Sequence, residues 1–137
     1  MTSEAAIIER IQFHLRGPGG DWETIFEDVL GESLLVFKNR NKSIREMFNS
    51  NIAKWTSREF LVLGEQRVTY EELKSCVEST AYRMQTQCGI KQGDRVAILG
   101  ANSPEWVISF FAATHLGAIV SALNGWWTET EIRHALE

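Results

Sequence analysis

The chain is poor in residues that would carry several kinds of chemistry unaided. It has two cysteines, two prolines and three histidines, and no cluster of Lys and Arg. Cys76 and Cys88 fall on one predicted helix, twelve residues apart. At a rise of about 1.5 Å per residue that separation is ~18 Å, whereas a disulfide needs Cα atoms within roughly 7 Å. An intrachain disulfide is excluded, and the two read as free thiols buried on the apolar side of their helix in a reducing, cytoplasmic setting. Neither has the surroundings of a nucleophile. His14, His115 and His134 are scattered, with no second ligand at i+3 or i+4 and no Cys partner, so no zinc site is expected. His115, near a predicted helix C-terminus, reads as a packing or capping residue.

Other absences exclude further classes. With a net charge of −4 and no basic patch, binding to a phosphate backbone has no electrostatic support. The apolar runs are far shorter than the ~20 residues of a membrane-spanning helix. Met1-Thr2-Ser3-Glu4-Ala5-Ala6 lacks a basic region leading into an apolar core, so no secretory signal is expected. There is no Gly-x-Ser-x-Gly elbow of an α/β-hydrolase.

What is present suits one globular domain: 137 residues, 44% hydrophobic and 23% charged. Residues 4–16 place Ile7, Ile8, Ile11 and Leu15 at helical spacing, and Gly17-Pro18-Gly19-Gly20 ends that helix as a flexible linker. It is no P-loop, because no Lys-Ser/Thr follows and no strand precedes it. Trp22 to Phe37 is ambiguous: its first half fits a helix, Leu34–Phe37 fits a strand, and a hairpin turning at Gly31 is an alternative.

From residue 43 the signals sharpen. Ser43 with Glu46, Thr69 with Glu72 and Thr128 with Glu131 are three capping boxes, each opening a helix. Ile44, Met47, Phe48, Ile52 and Trp55 line the first helix; Leu73, Val77, Ala81 and Met84 line the second, which Gly89 stops. Val68 with Leu73 and Trp127 with Ile132 stand at staple positions. Phe60–Leu63 and Arg67-Val68 read as short strands around a Gly64 turn. Val96–Leu99 and Ala118–Leu123 are unbroken apolar runs, expected as strands covered on both faces. Between them Ser103 caps a helix with Pro104 in its first position, and Gly117 ends it. The fold expectation is therefore α/β, with parallel strands alternating with helices. A final helix with full cap chemistry that stops after about two turns leads us to expect a truncated chain.

Two loops stand out. Gly100-Ala101-Asn102-Ser103 lies where α/β proteins often bind ligands and opens a helix N-terminus able to hold an anion; one glycine is weak support, and an ordinary strand-to-helix connection is the better reading. Trp22, Trp55 and Trp106 fit amphipathic faces and are expected in the core. Trp126 and Trp127 are adjacent in a loop and cannot both point inward. With Trp127 at a staple position, Trp126 is left to face a neighbouring segment or to stack on a flat ligand.

Val68-Thr69-Tyr70-Glu71-Glu72-Leu73, then Gly93–Leu99 with Asn102-Ser103-Pro104-Glu105, then Thr114–Asn124 follow one another in an order that resembles the core motifs of the adenylate-forming (AMP-binding) superfamily. That superfamily includes acyl-CoA synthetases, luciferases and peptide-synthetase adenylation domains. The resemblance covers residues 43–137, which it implies to be the N-terminal subdomain of the AMP-binding domain, incomplete; residues 1–42 are then an N-terminal extension. Asn124-Gly125-Trp126-Trp127-Thr128 with Glu131 looks most like bacterial fatty-acyl-CoA synthetases.

The resemblance implies a parent ligase that joins a carboxylic acid, a fatty acid in this branch, to ATP with Mg²⁺ and then to CoA. The family's phosphate loop, adenine-binding segment, ribose-binding Asp and catalytic Lys have no counterpart here. No catalytic residue and no metal ligand is therefore assigned, and neither ATP, Mg²⁺ nor CoA is expected bound to this chain by itself, which is expected to be inactive alone. In the acetyl-activating branch the loop after the second core motif contacts the nucleotide end of CoA. By position that loop maps to Asn124, Gly125 and Trp126, which implies cofactor binding there, with Trp126 stacking on the adenine. This sequence departs from that branch by carrying Trp where it has a small residue. Two further readings stay open. One is a non-catalytic partner-binding or dimerising module, whose exposed sheet edge favours self-association. The other is another adenylate-forming enzyme, of peptide-synthetase or luciferase type.

Overall fold

The computed structural model describes residues 4–137; the expectation about a signal at the N-terminus falls partly on Met1–Ser3, outside the described residues. The chain divides into two compact units, Met1–Asn41 and Lys42–Glu137.

The first unit holds helix α1 (Glu4–Arg16) and strands β1 (Thr24–Val29) and β2 (Glu32–Phe37). Helix α1 buries no residue. The ambiguous stretch is an antiparallel hairpin, with Thr24 opposite Phe37 and Val29 opposite Glu32. Leu30 and Gly31 both have positive φ, 57° and 89°. That backbone hand matches the strand twist of two-residue hairpins, and Asp28 Oδ1 accepts the Gly31 N–H at 3.2 Å. Glu23 pairs with Lys38 at 2.8 Å, and the Arg40 guanidinium grips Glu27 through both nitrogens at 2.9 and 3.1 Å. Trp22 is no core residue: it is 57% exposed, its ring edge-on to Phe37 at 5.7 Å.

The second unit runs α2 (Ile44–Trp55), β3 (Glu59–Leu63), β4 (Gln66–Thr69), α3 (Tyr70–Cys88), β5 (Arg95–Leu99), α4 (Pro104–His115), β6 (Ile119–Leu123) and α5 (Glu129–Leu136). Strands β3 and β4 form an antiparallel hairpin, and β5 and β6 are parallel neighbours joined through α4. The Thr69–Glu72 and Thr128–Glu131 boxes are complete. At Ser43 only half a box forms: its Oγ accepts the Glu46 N–H at 3.1 Å, but the Glu46 carboxylate accepts from Lys42 N, one residue before the cap. Gly89 ends α3 with φ 70°, the left-handed conformation that suits glycine.

The core sits where α2, α3 and α4 meet the β3–β4 hairpin. Phe48, Ile52, Leu73 and Val77 are buried, with Phe60, Leu61, Val68, Tyr70, Ile108 and Phe111 packed against them. Phe48 stacks on Phe111 at 4.6 Å. Leu73 and Val77 have no exposed surface, and burying such a side chain contributes about 1.5–3 kcal/mol each.

Two expectations are corrected. Strand β5 is not covered on both faces: Val96 and Ile98 are half-buried while Arg95, Ala97 and Leu99 are exposed, the alternation of a strand with a single covered face. Helix α4 contacts both strands, and along β6 the successive residues Val120 and Ser121 are both half-buried while Ile119 and Ala122 are exposed. Cys76 and Cys88 are free but exposed, not buried. The buried stripe of α3 is Leu73, Val77 and Ala81; Cys76 stands about 100° around the helix from Val77, and Cys88 is the last residue of α3, beyond that stripe. Trp55 and Trp106 are half-buried; Arg58 lies over the Trp55 ring at 4.4 Å, and Trp106 stacks on Phe110 at 5.8 Å.

Candidate functional site

Because β5 and β6 are parallel and in register through Leu99 and Leu123, their following loops leave from the same end of the sheet. Such a pair of loops beyond strand C-termini makes the usual ligand crevice of α/β folds. Here Gly100, Ala101 and Asn102 face Asn124, Gly125 and Trp126 across an open cleft of about 630 Å³, with Trp106 from α4 adding a second indole. That size falls in the ~300–1,000 Å³ range of small-molecule sites.

The β6 loop is held by its own polar groups. Asn124 Oδ1 accepts the Trp126 N–H at 3.0 Å, and the Asn124 carbonyl accepts the Trp127 N–H at 3.1 Å. Thr128 and Glu131 then lock the start of α5: the Glu131 carboxylate accepts the Thr128 N–H at 2.7 Å and its hydroxyl at 2.8 Å. The backbone N–H of Thr128, then its hydroxyl, hold the Glu131 carboxyl below its ordinary range. Trp126 stands 94% exposed at the mouth, whereas Trp127 is 37% exposed. A side chain at Gly125 would meet nothing within 4 Å, and one at Gly100 would come within 3.7 Å of the Trp106 ring.

No acidic or basic side chain lines the cleft. The N-terminus of α4 adds little for an anion: Pro104 has no N–H, and Ser103 Oγ already accepts the Trp106 N–H at 3.2 Å. An uncharged cleft with two indoles favours a flat heteroaromatic group over a phosphate or carboxylate. It contains no nucleophile or general base.

The three residues singled out after β6, Asn124, Gly125 and Trp126, thus line one cleft, and the Gly100 loop lies opposite them. Asn102 belongs to that loop, already singled out for its place between strand and helix; what the sequence reading misses is Trp106, expected in the core, which the parallel pairing brings to the same cleft. His115 is elsewhere, at the end of α4. Its Nδ1 is buried and has no partner among the described residues, and Arg45 donates to its carbonyl at 3.3 Å. Burial first, and then the Arg45 charge, push the imidazole below its ordinary value, with Glu78 acting in the opposite direction. Among the described residues no group of three or more His, Cys, Asp or Glu side chains is placed to hold a metal, and no helix is long and apolar enough to cross a membrane.

Parallel strands, a crossover helix and a cleft at the strand C-termini define an α/β fold of the class that places its crevice beyond the strand ends. Residues 48–137 match the model of the AMP-binding enzyme family, and the chain belongs to that family. It is 31% identical over 110 residues to a 4-coumarate–CoA ligase of Vanilla planifolia, covering 77% of this chain and 20% of that one. It is 28% identical over 98 residues to a long-chain-fatty-acid–CoA ligase of Escherichia coli, covering 72% of this chain and 18% of the other. Among solved structures, the N-terminal subdomain of Klebsiella oxytoca NpsA superposes with a TM-score of 0.67 at 28% identity, over 70% of this chain and 25% of that one. The chain spans a fifth or less of the curated relatives named here.

Proposed function

We propose that the chain is the N-terminal subdomain of an ATP-dependent acyl-CoA synthetase, of fatty-acyl type, and that its cleft seats the base of CoA. In that reaction a carboxylate attacks the α-phosphate of ATP, releasing pyrophosphate and leaving an acyl-adenylate; the CoA thiol then displaces AMP to give the thioester. The observation that carries the reading is Trp126, a flat, exposed ring at the mouth of an uncharged cleft, in a chain of this family. The Trp126-Trp127-Thr128 run is what favours a fatty acid; the relatives named above act on a fatty acid in one case and an aromatic acid in the other.

The residues fit one cofactor and not the others. Trp126 offers a stacking face, the open space at Gly125 admits a ring close to the backbone, and the Asn124 bond fixes the loop. The described residues supply no carboxylate cluster for Mg²⁺, and no cationic side chain lines the cleft to seat a triphosphate. The proposal departs in one respect from the expectation that the isolated chain holds no cofactor: with Asn124, Gly125 and Trp126 lining the cleft, it assigns a weak CoA site to this chain.

A second reading keeps the family and changes the acceptor from CoA to a carrier protein; the likeness to NpsA, one structure of which is described as an adenylation–PCP di-domain, favours it. Titration of the chain with CoA and, separately, with ATP–Mg²⁺ tests the proposal. Heat with CoA and none with ATP supports the CoA seat and with it the acyl-CoA synthetase reading; silence with CoA overturns the CoA seat.

A further inference from the structure

Two side-chain amides line the cleft, and one of them, Asn102, has both its oxygen and its NH₂ uncommitted. Asn102 is exposed on the wall opposite Asn124–Trp126. The Asn124 oxygen is committed to the Trp126 N–H, and the Ser103 oxygen to the Trp106 N–H. Among the described residues no group bonds the Asn102 amide. It therefore keeps a carbonyl acceptor and an NH₂ donor on one rigid plane. That pair is complementary to one edge of adenine, whose 6-amino group donates and whose ring N7 accepts, a pairing that asparagine makes with adenine in general.

We propose that Asn102 reads the amino edge of an adenine stacked on Trp126, and so makes the cleft discriminate against flat bases that lack an amino donor beside a ring-nitrogen acceptor. The proposal rests on the reading of Trp126 as a base platform. The loop geometry supports the assignment: Asn102 immediately precedes the Ser103 cap and the Pro104 start of α4, so its backbone is anchored by the helix while its side chain stays free. Trp126 supplies the face and Asn102 the edge, and the two residues reach the cleft from different loops. Stacking binds any base, since every base has a π-face; discrimination needs the edge.

The adenine of CoA and that of ATP share this chemistry, and the test separates them. The 137-residue chain is titrated calorimetrically with CoA, with ATP and with a CoA analogue whose base is purine, lacking the 6-amino group. The expected result is binding of CoA about tenfold tighter than the analogue, with Asn102→Leu bringing that ratio close to one. Tighter binding of CoA than of ATP assigns the edge to CoA; the reverse order, with the same response to Asn102→Leu, keeps the Asn102 inference and overturns the CoA assignment. Equal binding of CoA and the analogue by the unaltered chain, abolished by Trp126→Ala, overturns the Asn102 inference and leaves the platform standing. Binding that Trp126→Ala does not change overturns both. Far-ultraviolet circular dichroism of each variant separates loss of a contact from loss of the fold.

Discussion

The side chain of Asn124 bonds back to the main chain of Trp126: Oδ1 accepts the Trp126 N–H at 3.0 Å. This closes the loop after β6 into an Asx-type turn and fixes the backbone that carries the exposed indole. The contact is short-range and solvent-exposed, so its effect on global stability is small. Its effect on the orientation of Trp126 is direct.

Asn124→Ala is therefore expected to weaken CoA binding several-fold while moving the thermal midpoint little. Titration beside a thermal melt checks this. A large fall in the melting temperature with unchanged CoA affinity would show that the bond serves folding and not the platform.

The capping box of α3 has the opposite balance. Thr69 Oγ1 accepts the Glu72 N–H, and Glu72 accepts the Thr69 N–H at 2.8 Å, at the head of the helix that carries Leu73 and Val77. Thr69→Ala is expected to destabilise the chain by about 1 kcal/mol in urea unfolding. The Thr69 N–H, then its hydroxyl, lower the Glu72 pKa below its ordinary 4.5. A lowered carboxylate contributes stability that is complete above 4.5 and is lost as pH falls through the lowered value. The difference between Thr69→Ala and the unaltered chain should accordingly shrink as the pH is taken below that range.

His115 acts at higher pH. Its imidazole is lowered from 6.5, by burial and then by Arg45, so below 6.5 the unfolded chain takes up the proton more readily than the folded one. Stability present above 6.5 should fall as the pH drops from there toward the lower folded value. His115→Gln should remove that slope between neutral and mildly acid pH. Urea midpoints across a pH series measure it; an unchanged slope in the variant would assign the effect to other groups.

Both thiols are exposed in the folded chain. A chromogenic disulfide reagent should titrate two equivalents without denaturant. Reaction of either thiol only after unfolding would restore the buried reading that the structure overturns.

Much of this fold is legible in local chemistry. Ser103-Pro104, Thr69 with Glu72, Thr128 with Glu131 and Gly89 mark helix ends because caps and left-handed stops are satisfied by neighbours in sequence. The parallel order of β5 and β6 follows from the strand–helix–strand alternation. The hairpin at Leu30-Gly31 was half-legible, since a turn with two positive φ angles announces itself only at the glycine. Burial was read less well. The run Val96–Leu99 is apolar at every position, yet only alternate residues are covered, because α4 shields one face of the strand. Cys76 and Trp22 were assigned to the interior on type and rough spacing, where the angle around α3 and the edge position beside Phe37 decide otherwise. For the cleft, Asn124, Gly125 and Trp126 come from a resemblance and Asn102 from its place in the strand-to-helix loop, whereas Trp106 joins them only through parallel pairing across residues distant in sequence.

The central claim is that Trp126 is the platform for the base of CoA. Its most direct test is calorimetric titration of the 137-residue chain with CoA, for the unaltered protein and for Trp126→Ala. The account predicts weak but saturable binding that Trp126→Ala abolishes, with the circular dichroism spectrum unchanged. Binding of equal strength in the two proteins would contradict it.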